Sequence, residues 1–377
     1  MKLAIISHTQ HYVDANNAIV GWGPTIKEIN YLLDTVDTVY HIAPLHNEKP
    51  PSSSLPYASK KIIYIPLKPS GGSGWKKLSI LFTAPYNIFK IVSTLHKVDK
   101  IQFRAPTGMG IYVLPLLKLY PSNKYWVKYA GNWKDKFMPL GNKLQKKWLQ
   151  KCTATTTKIT VNGTWAGERE NIIPFENPCL DDIDRKKGEK IIESKELRSK
   201  LVFCFVGALN EHKGVSKIID AFSKLSASQK YKVEVVHFVG DGKERQEYIS
   251  RSEKSGVQMK FHGFLSKDQI ITTYQKSNFI ILPSKSEGFP KVIGEAMNYG
   301  CLPIVSNVSC LEQYIENNKN GFLIKPNTIE ELVKAIEKAL ESQSEIYQEM
   351  LMKNYLLAEK FTYKYYNNRI LSEILNQ

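Results

Sequence analysis

Apolar runs alternate with helical spacings along the first half of the chain. The first run, residues 2–7, ends in polar residues and predicts a buried strand. Further short apolar runs predict strands at 38–42, 61–65, 100–103, 125–129 and 158–161. Helical spacings between the strands include 25–33 and 140–151. Strands that alternate with helices favour a parallel sheet covered on both faces, so we predict a doubly wound α/β domain.

The second half repeats this organisation after a change in composition. Residues 178–200 are charged and poor in aromatic residues, which predicts a linker. Strands are then predicted at 201–206, 232–239, 258–262, 279–282 and 302–306. Helices are predicted at 215–225, 267–276, 292–299 and 329–342, and a last helical stretch covers 344–375. We therefore predict a second doubly wound, Rossmann-like sheet.

The length of the chain supports two domains, because 377 residues exceed the roughly 100–200 of a usual single domain. We place the domains at 1–180 and 181–360, with a C-terminal helix at 361–377 that returns to complete the first domain. In open α/β sheets, ligands bind beyond the carboxyl ends of the strands. Two such sheets facing each other predict a cleft between the domains as the place for chemistry.

The net charge of +16 is concentrated in the first half of the chain. Residues 57–100 hold eight lysines and one acid, and residues 118–158 hold ten lysines and one acid, so these two windows account for the whole excess. Basic surfaces of this kind meet nucleic acid, anionic lipid or phosphorylated ligands. The five cysteines show no zinc spacing and no CxxC pair, which indicates reduced thiols in a cytoplasmic protein.

Aromatic residues alternate with lysines across 75–90, at Trp75, Phe82, Tyr86 and Phe89. This composition predicts peripheral attachment to an anionic membrane surface, at its cytoplasmic face. The surrounding apolar stretch also contains a lysine, a proline and an asparagine, so it is not expected to span the bilayer. The alternative is a row of solvated lysines over a buried helix, and the sequence leaves both interpretations open.

Two glutamates flank a predicted helix start in the second half. Glu287 lies in the loop after the strand at 279–282, Pro290 suits a first helical turn, and Glu295 lies about one turn into the helix. The amides of residues 291–293 would then point toward an anion. Because a carboxylate accepts paired hydrogen bonds from vicinal hydroxyls, the pattern suits a nucleotide sugar. The alternative is an acidic loop followed by an ordinary amphipathic helix.

Three more glycine-containing loops follow predicted strands. Gly207 allows a sharp turn after the strand at 201–206, and Lys213 can reach a diphosphate from the same loop. A Gly-Asp-Gly turn begins at Gly240, and the segment 261–264 carries aromatic residues that either face a nucleotide base or belong to the core. Taken alone, each loop is also compatible with an ordinary strand-to-helix connection.

The order and spacing of these elements resemble the retaining GT-B glycosyltransferases of family 4. Their Glu-x7-Glu signature is matched by Glu287 and Glu295, and their Gly-x-Leu-x3-Lys-Gly element by residues 207–214. The resemblance implies the GT-B fold, a nucleotide-diphosphate sugar as co-substrate, and a glycan or lipid-linked acceptor. It also implies retention of anomeric configuration, no metal and no other cofactor, and a role in bacterial surface polysaccharide assembly (capsule, O-antigen or exopolysaccharide).

The resemblance also implies roles for individual side chains. Lys213 would bind the donor diphosphate, and Glu295 would hold the ribose hydroxyls. Glu287, the predicted catalytic residue, would contact the transferred sugar and stabilise positive charge at its anomeric carbon. The predicted donor-binding residues are Gly207, Lys213, Gly240, Gly263, Phe264, Ser286, Gly288, Phe289, Lys291, Val292, Ile293 and Glu295.

The acceptor side is expected in the N-terminal domain, where the chain departs from the family pattern. Ala208 stands where the family often has an arginine, so the missing charge is expected from Arg104 or a lysine of this domain. The loop at 130–133 lacks the family's histidine, and Asn132 is the candidate in its place. The predicted glycine-containing loop at 21–24 adds Gly21 and Gly23 to the acceptor side.

Other functions compete with this interpretation. A different GT-B enzyme, such as an epimerase or a phosphorylase, would share the fold. A nucleic-acid-binding protein would use the basic half, but the chain carries no recognisable binding module, and we expect no nucleic-acid partner. Residues 181–184 contain an Asp-x-Asp metal motif of the other glycosyltransferase fold, but they fall in the predicted linker, so no metal site is predicted. The donor base, donor sugar and acceptor stay open.

Overall fold

The chain forms two α/β units in a computed structural model that describes residues 1–72, 74, 78–135, 138–152 and 154–376. Unit 1 comprises Met1–Asn177 and Tyr363–Gln377, and unit 2 comprises Pro178–Thr362. The sequence places the corresponding boundaries after residues 180 and 360. Each unit is built on its own parallel sheet, which is the predicted fold class of two Rossmann-like domains.

Unit 1 contains a seven-stranded sheet and a smaller three-stranded sheet. Its strands are β1 (Lys2–Ile6), β2 (His11–Val13), β3 (Ile19–Trp22), β4 (Thr38–Pro44), β5 (Ser54–Pro56), β6 (Ile62–Leu67), β7 (Lys100–Ala105), β8 (Tyr125–Tyr129), β9 (Ile159–Val161) and β10 (Ile172–Pro174). The large sheet has the order β10-β9-β8-β7-β1-β4-β6, and all neighbours are parallel. Every strand predicted for this half of the chain belongs to it. The short strands β2, β3 and β5 form the antiparallel sheet.

The helices of the N-terminal part of unit 1 cover the two faces of the large sheet. They are α1 (Gly23–Leu32), α2 (Ser79–Leu95), α3 (Gly110–Leu117) and α4 (Leu140–Gln150). Leu3 and Ile5 of β1 pack with α1, while Ala4 and Ile6 pack in a second core with α2, α3 and α4. This alternation follows from the two-residue period of a strand. No helix in the described ranges combines the length and apolar character that crossing a membrane requires. Trp75, one of the aromatic residues in the predicted membrane-attachment segment, lies outside those ranges.

The predicted glycine-containing loop at 21–24 is wrong, because the segment is regular structure. Gly21 lies in β3 and Gly23 begins α1. A Cβ atom on Gly21 would lie 2.6 Å from the His11 Nε2 atom, and one on Gly23 would lie 2.6 Å from the Ser53 carbonyl oxygen. Both glycines therefore allow close packing of the small antiparallel sheet.

Unit 2 is a six-stranded parallel sheet with the order β13-β12-β11-β14-β15-β16. Its strands are β11 (Leu201–Val206), β12 (Val233–Val239), β13 (Met259–Gly263), β14 (Phe279–Leu282), β15 (Leu302–Ser306) and β16 (Phe322–Ile324). Its helices are α5 (Asp182–Ser194), α6 (Val215–Ser223), α7 (Ala227–Tyr231), α8 (Arg245–Ser252), α9 (Lys267–Lys276), α10 (Lys291–Asn298), α11 (Ile329–Leu340) and α12 (Ser344–Ala358). The predicted second doubly wound sheet is confirmed.

The predicted linker at 178–200 is wrong, because it contains α5. The helix begins with a capping box in which the Asp181 carboxylate accepts from the Asp184 amide and the Asp184 carboxylate accepts from the Asp181 amide. Ile191 and Ile192 are buried on its inner face. Asp184, the second aspartate of the Asp-x-Asp pattern, thus satisfies a backbone donor at a helix start together with Asp181, and Lys267 also pairs with Asp184.

The predicted final helix at 344–375 is interrupted near Thr362. After α12, a 3₁₀ turn spans Glu359–Phe361, and helix α13 (Tyr363–Ile370) continues into a π-helical turn at Leu371–Leu375. Thr362 has an extended backbone and pairs with Leu180 in an isolated bridge. Beyond this break, α13 packs into the core of unit 1.

A chain of hydrogen bonds between uncharged side chains lies within unit 1. The Tyr57 hydroxyl is 2.8 Å from the His11 Nε2 atom and 2.7 Å from the His41 Nδ1 atom. The His41 Nε2 atom is 2.8 Å from the Ser7 hydroxyl. Burial lowers the pKa of His11 to about 4 and holds the pKa of His41 well below its ordinary value.

These buried histidines predict that unit 1 loses stability as the pH falls from about 6.5 towards 4. Over this range the unfolded chain takes up protons that the folded chain does not, so the free energy of unfolding rises with pH. We expect the melting temperature, followed by circular dichroism, to fall on acidification. A His11→Asn variant should show a shallower pH dependence, whereas replacement of the exposed His96 by Gln should leave it unchanged. A melting temperature constant between pH 7 and 5 would contradict the prediction.

Candidate active site

The four predicted donor motifs lie at one edge of the unit 2 sheet. They follow β11, β12, β13 and β14, which are neighbours in the order β13-β12-β11-β14. Because these strands are parallel, their carboxyl ends meet at the same edge. The fold therefore gathers loops that are up to 80 residues apart, from Gly207 to Glu287, at one place.

Close backbone contacts join three of these loops. The Gly207 amide donates to the Val239 carbonyl at 3.0 Å, and the Gly240 amide donates to the Gly263 carbonyl at 2.8 Å. Gly240 has a φ of +127°, and a Cβ atom there would lie 1.9 Å from the Gly207 carbonyl oxygen. Only glycine fits this position, so the turn after β12 can lie directly against the turn after β11.

Lys213 and Glu287 form an ion pair at this edge. The Lys213 Nζ atom lies 2.6 Å from the Glu287 Oε1 atom, and the side chains are 26% and 9% exposed. Their loops are held together by backbone contacts, since the Lys285 amide donates to the His212 carbonyl at 2.9 Å. The His212 Nε2 atom also lies 3.1 Å from the Ser286 carbonyl oxygen. Sequence reasoning selected Lys213 and Glu287 separately but not their contact.

Helix α10 begins directly after the Glu287 loop, with Pro290 in an extended conformation before Lys291. The first amides of a helix have no acceptor within the helix and can bind an anion. Lys291 and Val292 occupy these first positions. The prediction for Ile293 is wrong in this respect, because its amide donates to the Pro290 carbonyl at 3.0 Å. The candidate anion site narrows to the amides of Lys291 and Val292.

The two phenylalanines predicted at the site differ in their surroundings. Phe289 is buried and its ring stacks on Phe361 with centroids 4.4 Å apart, so its side chain is part of the core of unit 2. Phe264 is 67% exposed at the end of β13. Phe261 stacks on Phe238 at 4.5 Å. Phe264 is thus the aromatic side chain of this segment that can contact a base. Gly288, another predicted donor-binding residue, accepts a long hydrogen bond through its carbonyl from the Cys310 thiol at 3.5 Å.

Glu295 is held by a residue that sequence reasoning missed. The hydroxyl of the fully buried Tyr274, on α9, donates to the Glu295 Oε2 atom at 3.2 Å. Burial and the Glu295 charge hold the pKa of Tyr274 well above its ordinary value, so the hydroxyl stays protonated as a donor. One helical turn later, the Tyr299 hydroxyl donates to Asp184 at 2.7 Å. These contacts fix α10 against α9 and α5, and no local sequence signal indicates them.

Among the residues predicted on the acceptor side, Arg104 is already engaged inside unit 1. Its guanidinium donates to the Glu28 carboxylate and to the Gln102 side chain, each at 2.9 Å, and all three residues are buried. Lys128 contacts the same carboxylate oxygen at 2.5 Å. Arg104 therefore serves a buried ion pair, which corrects the expectation that it supplies the phosphate-binding charge missing at Ala208.

The second acceptor-side candidate, Asn132, lies in the loop after β8. Its side-chain oxygen accepts from the Lys134 amide at 3.0 Å. The next residue, Trp133, is buried and donates through its indole nitrogen to the Glu168 carboxylate at 2.8 Å. Burial alone would raise the pKa of Glu168, but the hydrogen bonds donated by the Trp133, Gln150 and Lys134 side chains outweigh it and lower the pKa. This carboxylate fixes the loop that carries Asn132.

Known proteins match both the sequence of unit 2 and the fold of the whole chain. Residues 187–355, nearly all of unit 2, match the family of group 1 glycosyl transferases. Over its full length, the chain superposes on sucrose-phosphate synthase from Thermosynechococcus elongatus with a TM-score of 0.73, 14% identity and 98% coverage of that chain. It also superposes on Anabaena HepE in complex with UDP and glucose, with a TM-score of 0.69, 16% identity and full coverage of both chains. The chain has the GT-B fold.

Two sequence relatives extend the match beyond the family segment. An uncharacterized glycosyltransferase of Haemophilus influenzae is 28% identical over 66% of this chain and 68% of its own length. The capsular polysaccharide biosynthesis glycosyltransferase CapM of Staphylococcus aureus is 25% identical over 72% of this chain and 67% of its own length. Together with the GT-B fold and the group 1 domain, these relatives support a glycosyltransferase.

Proposed function

We propose that the protein transfers a sugar from a nucleotide-diphosphate sugar to a glycan or lipid-linked acceptor, with retention of anomeric configuration. The observation that carries this proposal is the contact of Lys213 with Glu287 at 2.6 Å, in a loop that leads into the start of α10. The Lys213 cation thus contacts the Glu287 carboxylate, and the start of α10 follows Glu287 by four residues. Such a set can hold a diphosphate and stabilise a developing positive charge.

In this proposal each group has one task. Lys213 and the amides of Lys291 and Val292 bind the diphosphate, which is the anion that a helix N-terminus and an ammonium group favour. Glu295, held by Tyr274, accepts hydrogen bonds from the ribose hydroxyls. Glu287 faces the transferred sugar and stabilises the positive charge at the anomeric carbon. Lys213 is shared between Glu287 and the diphosphate and thereby sets their distance.

Retention follows if the acceptor attacks from the face that the diphosphate leaves. The acceptor oxygen then bonds to the anomeric carbon while the bond to the leaving phosphate breaks. The leaving phosphate accepts the acceptor proton, so neither a metal nor a protein base is needed, and catalysis is positioning together with charge stabilisation. Among the described residues, no three His, Cys, Asp or Glu side chains are grouped as metal ligands.

The donor and the biological context are inferred from named relatives. HepE was crystallised with UDP and glucose, which supports a uridine nucleotide among the donors to be tested first. CapM is named for capsular polysaccharide biosynthesis, which supports assembly of a bacterial surface polysaccharide as the process. The proposal for this chain is therefore a surface-polysaccharide glycosyltransferase.

A thermal-shift screen tests the proposal directly. A ligand that binds only the folded state raises the melting temperature, so one nucleoside diphosphate among UDP, GDP and ADP, and one of its sugars, should stabilise the protein. The same shift and the same transfer rate are expected in excess EDTA. No stabilisation by any nucleotide would contradict the proposal. A rate abolished by EDTA and restored by Mg²⁺ or Mn²⁺ would contradict its metal-independent part.

A further inference from the structure

The helices α2, α3 and α4 of unit 1 carry large apolar side chains on their outer faces. Of the eighteen large apolar side chains exposed in the described part of the chain, nine lie between residues 78 and 144. The most exposed are Phe82 at 83%, Phe89 at 68%, Leu119 at 81% and Leu140 at 84%. Exposed apolar side chains are therefore concentrated on these helices and directly beside them, with Leu78 just before α2 and Leu119 just after α3, which is unusual for a surface that faces only water.

The three helices are neighbours over one core of unit 1. A Cβ atom on Gly108, just before α3, would lie 3.0 Å from the Ile80 side chain of α2. A Cβ atom on Gly141, in the first turn of α4, would lie 3.9 Å from the Ile111 side chain of α3. The first turns of the three helices are thus neighbours. We call the outer surface of α2, α3 and α4 the apolar-basic face.

Lysines are interleaved with the apolar side chains of this face. On α4, the exposed residues Leu140, Lys143, Leu144 and Lys147 follow the i, i+3, i+4, i+7 spacing of a single helical stripe. On α2, the exposed ring of Tyr86 lies 4.7 Å and 5.7 Å from two lysine ammonium groups, those of Lys68 and Lys90.

Acidic residues are almost absent from the same part of the sequence. Between residues 57 and 167 the only acids are Asp99 and Asp135. The Asp99 carboxylate accepts a hydrogen bond from the Lys2 amide at the amino end of the sheet. The three helices themselves contain no acid. The face is therefore apolar and cationic at once; the Glu168 carboxylate, 9% exposed, contacts the end of α4 at Gln150 and pairs with Lys134.

We propose that the apolar-basic face docks on an anionic phospholipid bilayer. The lysines meet the headgroup phosphates, while Phe82, Phe89 and Leu140 enter the boundary between headgroups and acyl chains. This attachment places unit 1 against the surface in which a lipid-linked acceptor would be embedded. The proposed membrane surface thus includes α3 and α4 in addition to the segment at 75–90. The proposal does not depend on the proposed sugar transfer.

Vesicle sedimentation tests the docking without any activity measurement. The full-length protein should sediment with phosphatidylcholine vesicles that contain about a third phosphatidylglycerol, and not with pure phosphatidylcholine. Raising the salt concentration to about 0.5 M should reduce the bound fraction, because the charge contribution is screened. Failure to bind the anionic vesicles at low salt would overturn the proposal, whether or not nucleotides bind to unit 2.

Matched variants locate the surface. Lys143→Glu with Lys147→Glu should weaken partitioning about tenfold or more. The same charge change at the exposed Lys186 and Lys190, also four residues apart but on α5, should have little effect. Phe82→Ser with Phe89→Ser should weaken binding, while Met352→Ser with Leu356→Ser, exposed on α12, should not. Because all four pairs are exposed, none of these replacements should change the melting temperature. An unchanged melting temperature therefore shows that the variant is folded.

Two outcomes would contradict docking of the apolar-basic face on a bilayer. Equal loss of binding in the α4 and α5 charge variants would show that net charge alone, and not this face, attracts the protein to lipid. A dimer in analytical ultracentrifugation that dissociates in the Phe82→Ser, Phe89→Ser variant, with vesicle binding unchanged, would identify the partner as a second copy of the chain.

Discussion

A Glu287→Gln variant is expected to have a kcat about a hundredfold to a thousandfold lower than the unmodified enzyme, which is the usual cost of removing one preorganised electrostatic contact to a transition state. Glutamine keeps the size of the side chain and one carbonyl acceptor, but it removes the charge and replaces the second oxygen by an NH2 donor. The loss should therefore fall on the step in which positive charge develops at the anomeric carbon. The measurement is the initial rate against donor concentration, once the screen has identified the donor.

The ion pair with Lys213 makes the prediction for Glu287→Gln sharper. In the folded protein the Lys213 ammonium lies 2.6 Å from the Glu287 carboxylate, so a diphosphate must share this cation with it. Without the carboxylate charge, the whole cation is available to the diphosphate. We therefore expect the affinity for the nucleoside diphosphate to stay the same or increase while kcat falls.

A control separates this effect from general damage to the fold. Glu345→Gln, an exposed replacement in the first turn of α12, should retain full activity and the same nucleotide affinity. An unchanged kcat in Glu287→Gln would contradict the catalytic role of Glu287. A fall in melting temperature accompanied by equal losses in kcat and affinity would instead assign Glu287 a structural role.

The central strands of both sheets can be predicted from sequence because burial on both faces makes them apolar runs. Strands β8, β11, β14 and β15 begin and end at the predicted residues, as does helix α9. The loops predicted between these elements are also found, because the loops that follow parallel strands are polar or contain glycine. The sequence pattern therefore predicts best the elements whose position is determined by local burial.

The elements that were missed or misread lack such a pattern. The strands β2, β3 and β5 have three or four residues each, too few to show a period of two. The sequence of α5 predicts a linker because most of its residues are charged and only a narrow stripe, with Ile191 and Ile192, is buried. The break at Thr362 is made by pairing with Leu180, far away in the sequence, and no local signal predicts it.

The candidate site shows the same division. The motif residues could be selected because each loop carries its own chemistry next to a strand end. The contacts that tune them join distant segments: Tyr274 with Glu295, and Arg104 with Glu28. The expectation that Arg104 supplies a phosphate-binding charge was wrong for this reason, since the sequence cannot show that Arg104 is buried against a carboxylate 76 residues away.

Lys213→Ala is expected to act in the opposite direction to Glu287→Gln on nucleotide affinity. A hydrogen bond to a charged group contributes about 1.5–3 kcal/mol, so removing the ammonium should raise the Kd for the nucleoside diphosphate about tenfold to a hundredfold. The remaining Glu287 carboxylate, 9% exposed and without its partner, adds repulsion against the phosphates. The stabilising thermal shift by the nucleotide should therefore shrink or vanish.

Three further variants show whether charge is the cause. Lys213→Arg keeps a cation and should recover part of the affinity, whereas Lys224→Ala, which breaks a surface pair with Glu330, should bind nucleotide normally. The double variant Lys213→Ala with Glu287→Gln should bind nucleotide more tightly than Lys213→Ala alone, because it removes the repulsion that the single variant creates. Non-additivity of this sign is expected for two groups that contact each other and one ligand. An undiminished thermal shift in Lys213→Ala would show that the diphosphate does not bind at this ion pair.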